Sequence, residues 1–188
     1  IADVAEYAHL TADEVEQLGR EFDTIRAEIE ESRGAADAAY INRVITTQRW
    51  MAASARIGMI VSSPFPKARK PVLAASAVAL GLAKILENME IGHNVMHGQW
   101  DWMNDPEIHS SNWEWDTAQP AEQWKHSHNH VHHQFTNVLG YDNDIGYGVL
   151  RMAREQKWHP ANLGQPVYNA LLASLFQWGV ALHDLDIE

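Results

Sequence analysis

Eight of the chain's eleven histidines fall between His93 and His133. Seven of them form two groups, one in GHNVMHGQW and one in HSHNHVHHQFTN, and the eighth, His109, lies in the Trp-rich stretch between. Neutral imidazole is the commonest metal-ligating side chain and suits iron, copper, zinc and nickel. A metal held by both groups obliges two distant segments to meet, so this clustering constrains the fold more than any other feature. The chain has no cysteine, which removes disulfides, thiolate zinc sites and cysteine nucleophiles.

Helical geometry sorts the histidines only in part. His93 and His97 are spaced i, i+4 and share a face. Glu87 and Glu90 extend that stripe by steps of three and four, and burying such a charged stripe is costly unless it is paired or metal-bound. In the second group, at about 100° per residue, His128 and His132 share one face while His126, His130 and His133 share the opposite one. Spacing alone leaves these as two rival ligand sets. The adjacent pair His132 and His133 diverges by about 100°, which suits two separate ions or one ion plus a supporting contact.

The remainder reads as one all-α domain over residues 1–188. Residues 10–34 are an amphipathic helix: Thr11 and Glu14 form a capping box, and Val15, Leu18, Phe22, Ile25 and Ile29 make one apolar stripe. That helix is either an ordinary packed surface helix or a partner-binding one. Residues 35–97 hold two further helices, divided by the proline-rich loop SSPFPKARKP at 62–71, with the second helix starting at Val72. Residues 98–148 are irregular to about 120, helical from 121 to 139, then a turn-rich GYDNDIGYG. Residues 163–185 are a last apolar helix. The acidic, helix-like first forty residues show no signal peptide. The formal charge of −11 excludes nucleic acid as a partner, because such binding rests on cationic phosphate contacts. A membrane span needs about 20 mostly apolar residues. The segment 166–182 is the best candidate, ahead of 71–83 and 48–63. Five of the eight tryptophans lie between Trp100 and Trp124, as a bilayer-interface belt or as the lining of a groove. Lys67, Arg69 and Lys70 suit a cytoplasmic membrane edge or a solvated turn.

The two boxes, GHNVMHGQW and HNHVHHQFTN followed by DND, resemble the membrane fatty-acid desaturase family. The surrounding ENMEIGHNVMHGQWDWMNDPEIHSSNWEWD is most similar to the mycobacterial acyl-CoA desaturases, matching their N-terminal half. The resemblance implies a helical membrane bundle with its histidine boxes on the cytoplasmic side. It implies two iron ions held by His93, His97, His128, His132 and His133, and so settles the choice that spacing left open. It places Asn94, His109, Asn129, His130 and Asp144 as candidates to support those ligands or line the substrate channel; Asp142 and Asn143 are weighed beside Asp144. The implied reaction is O2-dependent insertion of a cis double bond, at the ninth carbon, into a long-chain acyl-CoA. An electron-donating reductase or ferredoxin and membrane lipid are the implied partners.

The family's third box, HxxHH, does not follow His133, so the sequence reads as a truncation or as a piece completed by another. Three rival readings stand beside desaturation. A hydroxylase on the same scaffold is the first. A soluble ferritin-like di-iron protein is the second, suggested by the E-x-x-H of Glu90 and His93. A non-catalytic metal-binding fragment is the third.

Overall fold

The computed structural model describes residues 5, 7–115 and 117–184, and every regular element among them is helical. The chain divides into two compact units, Ile1–Arg43 and Val44–Glu188.

In the first unit, α1 spans Ala12–Ser32. The capping box expected from the sequence is formed: the Glu14 N–H donates to the Thr11 hydroxyl, and the Thr11 N–H donates to the Glu14 carboxylate at 2.8 Å. Arg20 pairs with Glu16 and Arg26 with Glu30 along its solvent face. None of its residues is buried. The chain leaves the helix at Arg33, which is extended at φ −61, ψ 133, and enters α2 (Ala35–Val61) through Gly34.

The second unit takes up the rest of α2 and then α3 (Pro66–Ile85). The sequence predicts a loop through Pro71, but α3 begins at Pro66. A proline in the first turn loses no helical hydrogen bond, and the carbonyl that Pro71 leaves unmatched sits on an exposed turn. Beyond Ile85 the backbone widens into a π-helical segment, Leu86–Gly92, and returns to α-helix in α4 (His93–Met96). Pro66–Met96 is therefore one continuous rod of 31 residues, long and apolar enough to cross a membrane. The candidate favoured from sequence, 166–182, is broken instead. It divides at Leu175 (φ −111, ψ 14) into α7 (Gln165–Ser174) and α8 (Phe176–Asp184). Each half is only ~15 Å long.

Along α2 and α3 of this unit most of the buried residues are small and many large apolar ones are exposed. Ala52 and Ala55 of α2, Ser62 just past its end, and Ser76 and Ala83 of α3 are buried, with Ile45 the large exception, whereas Ile60 is 73% and Val78 64% exposed. At Gly58 a Cβ would stand 2.7 Å from the Ser76 hydroxyl, so glycine sets the approach of α2 to α3.

After α4 the chain makes turns and a short 3₁₀ helix, Asp101–Met103, before α5 (Ala121–Trp124). A second π-helical segment, Lys125–His132, follows, then α6 (His133–Phe135). The helix stops at Phe135 rather than at 139. Thr136 turns extended, its hydroxyl donates to the His132 carbonyl, and Asn137 takes φ +64 with its N–H donated to Asp142.

Candidate metal centre

Each histidine box closes a π-helical turn. The His93 N–H donates to the Asn88 carbonyl and the His133 N–H to the His128 carbonyl, both i→i−5 bonds. A π turn is rare and recurs at functional sites. Its effect here is to stack residues five apart, which α-helical spacing would spread around the axis.

The two boxes meet. His93 and His97 lie with ring centroids 4.6 Å apart and their Nε2 atoms 3.1 Å apart. His128 is 5.1 Å from His93 and 5.3 Å from His97. His133 is 4.8 Å from His97, 5.0 Å from His128 and 5.3 Å from His132. Of the two sets from α-helical spacing, His128 and His132 stay together, stacked at 4.9 Å, and the other is split. His133 leaves the His126 and His130 face and joins His128 and His132, because the π turn brings positions 128 and 133 into line. His126 and His130 stack on each other at 5.8 Å.

Among the described residues two groups of donor atoms lie close enough to hold a metal ion: His93, His97 and His128, and His128, His132 and Asp144, each with its atoms within 4.8 Å of one another. His128 belongs to both. Imidazole with carboxylate is a donor set that suits iron. Metal binding needs neutral imidazoles. The His97 ring meets that need: burial and the neighbouring His93, His128, His133 and His132 rings push its pKa down to about 4.

Two aspartates of the following loop hold the second box. Asp142 Oδ1 accepts from His132 Nδ1 at 2.9 Å, the ring proton being assigned from this contact. Burial works against the Asp142 charge. The hydrogen bonds from His132 and from the Asn137 and Asp144 N–H groups outweigh it and hold the carboxyl below its usual range. Asp144 lies 3.4 Å from both His128 and His132. The contact with His128 lowers its pKa against the opposing effect of burial. Tyr147 takes φ +52, a left-handed conformation costing ~1–2 kcal/mol, and its hydroxyl donates to Asp144 Oδ1 at 2.7 Å.

A tryptophan floor supports the rings. Trp124 stacks on His128 at 4.4 Å and packs with Met96 and Ala121, with Trp113 and Trp115 against that core. Gly92 makes the floor possible: a Cβ there would sit 3.0 Å from the Glu87 carbonyl and 3.3 Å from both Trp113 and Trp115. Asn129 Nδ2 donates to the Met96 carbonyl at 2.9 Å and ties the second box to the end of the first.

Other residues singled out from sequence lie elsewhere. Asn94 donates to the Glu90 carbonyl. His109 sits beside Ser111 and 3.8 Å from Asp101. Glu87 accepts from Gln48 and pairs with Lys84, and Glu90 belongs to neither metal-capable group among the described residues. Trp124 is the contributor that sequence reasoning left unassigned, and its position one helical turn before His128 was the available signal.

Beside the cluster opens a cavity of about 500 Å³. His93, His128, His132 and Asp144 stand at one side, and Ile85, Met89, Trp115, Trp124, Phe176 and Val180 supply most of its apolar wall.

No protein-family model matches the chain. It is 53% identical over 187 residues to the NADPH-dependent stearoyl-CoA 9-desaturase of Mycobacterium tuberculosis, in two strains, covering 100% of this chain and 43% of those proteins. It is 30% identical over 91 residues to the sn-1 linoleoyl-lipid 6-desaturase of a Synechocystis strain, covering 46% of this chain and 24% of that protein. The chain thus spans less than half the length of the curated relatives it matches. No solved structure matches.

Proposed function

The chain is related along its whole length to fatty-acyl desaturases, and from that premise we propose that it carries the iron-binding part of an O2-dependent acyl-CoA desaturase. One observation carries the reading: the five box histidines, drawn from two distant segments, converge in one cluster, and three of them, His93, His128 and His132, line a largely apolar cavity. In this reading His93, His97, His128, His132 and His133 hold two iron ions, with Asp144 an additional donor. When bound, iron supplies the O2-dependent oxidation that removes two hydrogens from an unactivated acyl chain.

The protein's own residues bind, orient and exclude water. Ile85, Met89, Phe176 and Val180 take a long acyl chain out of water. Trp124, stacked on His128, lines the cavity beside the histidines and holds the His128 ring in place. Asp142 fixes the His132 ring and its Nδ1 proton, so that Nε2 would be the nitrogen available to hold iron. The substrate is a long-chain acyl-CoA, desaturated in the cis sense at the ninth carbon, and the electrons come from an NADPH-linked reductase or a ferredoxin.

The same reading puts the chain in the cytoplasmic membrane. The 31-residue rod is ~46 Å long, more than the ~30 Å hydrocarbon layer, and only 11% of its most apolar window is buried. Burial of small residues with large apolar ones left outside is the packing of membrane helices. Lys67, Arg69 and Lys70 lie at one end of this rod and His93 at the other. If the histidines face the cytoplasm, the basic turn faces away from it, so the sequence-based suggestion of a cytoplasmic edge at 62–71 is withdrawn.

The test is expression of the complete gene in a host lacking the activity, with mass analysis of its fatty acids. Parent protein should yield an 18-carbon acid lighter by two hydrogens, absent with His132→Ala. Gain of one oxygen instead identifies a hydroxylase, and an unchanged profile in the His132→Ala host sinks both.

A further inference from the structure

We propose that α1 is a self-recognition element that pairs in parallel with α1 of a second copy of this chain. The inference is independent of the metal centre. Helix α1 is three heptads long and buries none of its 21 residues. Its apolar stripe is open: Leu18 is 42%, Phe22 61%, Ile25 50% and Ile29 59% exposed. The stripe repeats in strict alternating steps of three and four, the seam pattern of a two-stranded coiled coil. Val15, Phe22 and Ile29 take the first seam position and Leu18, Ile25 and Ser32 the second.

The residues flanking that seam say what covers it. On one flank, at the positions just before the first seam residue, stand Glu14, Glu21 and Glu28. On the other flank, just after the second seam residue, stand Gly19, Arg26 and, at the cap that ends the helix, Arg33, whose φ of −61 is still helical. In a parallel pair each flank residue meets the partner residue five positions further on. Glu21 then faces the second copy's Arg26, and Glu28 faces its Arg33, with both pairs repeated by symmetry. An antiparallel pair would set glutamates against glutamates and arginines against arginines. The remaining surface carries Glu16, Asp23, Glu30 and Glu31, which an anionic bilayer would repel. Arg26 lies on the surface, its side chain 77% exposed and paired only within its own helix to Glu30 at 3.1 Å, so it can reach across to a partner. The structure leaves room to strengthen the design: no atom lies within 4 Å of a Cβ at Gly19, where lysine would face the partner's Glu14.

The chain lacks cysteine, so one introduced thiol is unique. The test is oxidative cross-linking of the full chain in membranes, carrying Ser32→Cys at a seam position. A disulfide-linked dimer is expected. Adding Arg26→Glu with Arg33→Glu should cut its yield ~10-fold or more, since attractive rim pairs become repulsive. So should Glu21→Arg with Glu28→Arg. Co-expressing the two reversed copies, distinguished by size tags, should restore a mixed dimer. Gly19→Lys should raise the yield and guards against a loss caused by misfolding. Absence of the Ser32→Cys dimer would overturn the proposal. So would a yield indifferent to charge reversal, the result expected if the stripe packs on its own chain or on lipid. Cross-linking of Ser32→Cys to Val15→Cys in preference to itself would overturn it too, by showing an antiparallel pair.

Discussion

Asp142→Asn tests the support of the metal centre most directly. Asp142 is 5% exposed, and its carboxylate accepts from His132 Nδ1 at 2.9 Å, the Asn137 N–H at 2.7 Å and the Asp144 N–H at 3.0 Å. Oδ1 serves His132 and Asp144, and Oδ2 serves Asn137. An amide has one acceptor oxygen where the carboxylate has two. Turned toward His132, it points its NH2 at the Asn137 N–H; turned toward Asn137, it deprives both other donors. Either way a part-buried donor loses its acceptor, at a cost of about 1 kcal/mol. The His132 ring also loses the anion that orients it and raises its basicity, and partners of this kind typically carry ~10–100-fold in metal affinity. Chemical denaturation of the detergent-solubilised chain should show the stability loss. Anaerobic titration with Fe(II) or Co(II) should show the affinity loss. His130→Ala, two residues from His132 but stacked on His126, should leave metal affinity unchanged. An Asp142→Asn protein that binds metal as tightly as its parent refutes the reasoning.

Other perturbations follow from the same geometry. His128 belongs to both metal-capable groups, so His128→Ala should lower the iron content of purified protein more than His133→Ala, read by metal analysis. Gly92→Ala places a methyl against the Glu87 carbonyl and two tryptophans and should cost ~1–3 kcal/mol, read as a lower thermal midpoint. Asp101 titrates below its ordinary 3.8: burial opposes its charge, but the Ser110 hydroxyl and N–H, with His109, more than compensate. A carboxyl lowered on folding stabilises above its unfolded value, and that contribution disappears as pH falls through the lowered folded value. Ser110→Ala removes the 2.6 Å hydroxyl contact and should move the acid unfolding limb, followed by tryptophan fluorescence, to higher pH.

Much of the chain was legible because its signals are local. A capping box and a seven-residue apolar repeat specify α1 from residues within a turn of one another, and the structure forms both. The histidine boxes are likewise local text, and imidazole chemistry alone marks them as metal ligands. The first turn of α3 shows the limit of that reading: prolines normally signal a break, yet Pro66 begins a helix and Pro71 is tolerated within it. The break at Leu175 had no sequence signal, and nothing in the structure explains it.

Residue spacing alone left open which histidines act together; the family resemblance named His93, His97, His128, His132 and His133, and the fold brings those five rings together. Counting at α-helical pitch groups His133 with His126 and His130, because counting assumes a uniform turn. Two π-helical segments violate that assumption at the boxes themselves, and they bring His128, His132 and His133 to one side. Joining that side to His93 and His97 required contacts between positions remote in sequence: Asn129 to the Met96 carbonyl, and Trp124 under both boxes. The choice of Asp142 to hold the His132 ring, with Asp144 beside the donor atoms, was settled by the turn after Asn137, whose left-handed residue folds the acidic loop back onto the helix. The sequence by itself determined the helical class, the first helix and the imidazole clusters. Tertiary structure decided where those rings meet, because side-chain positions depend on the pitch of each turn and on packing between distant segments.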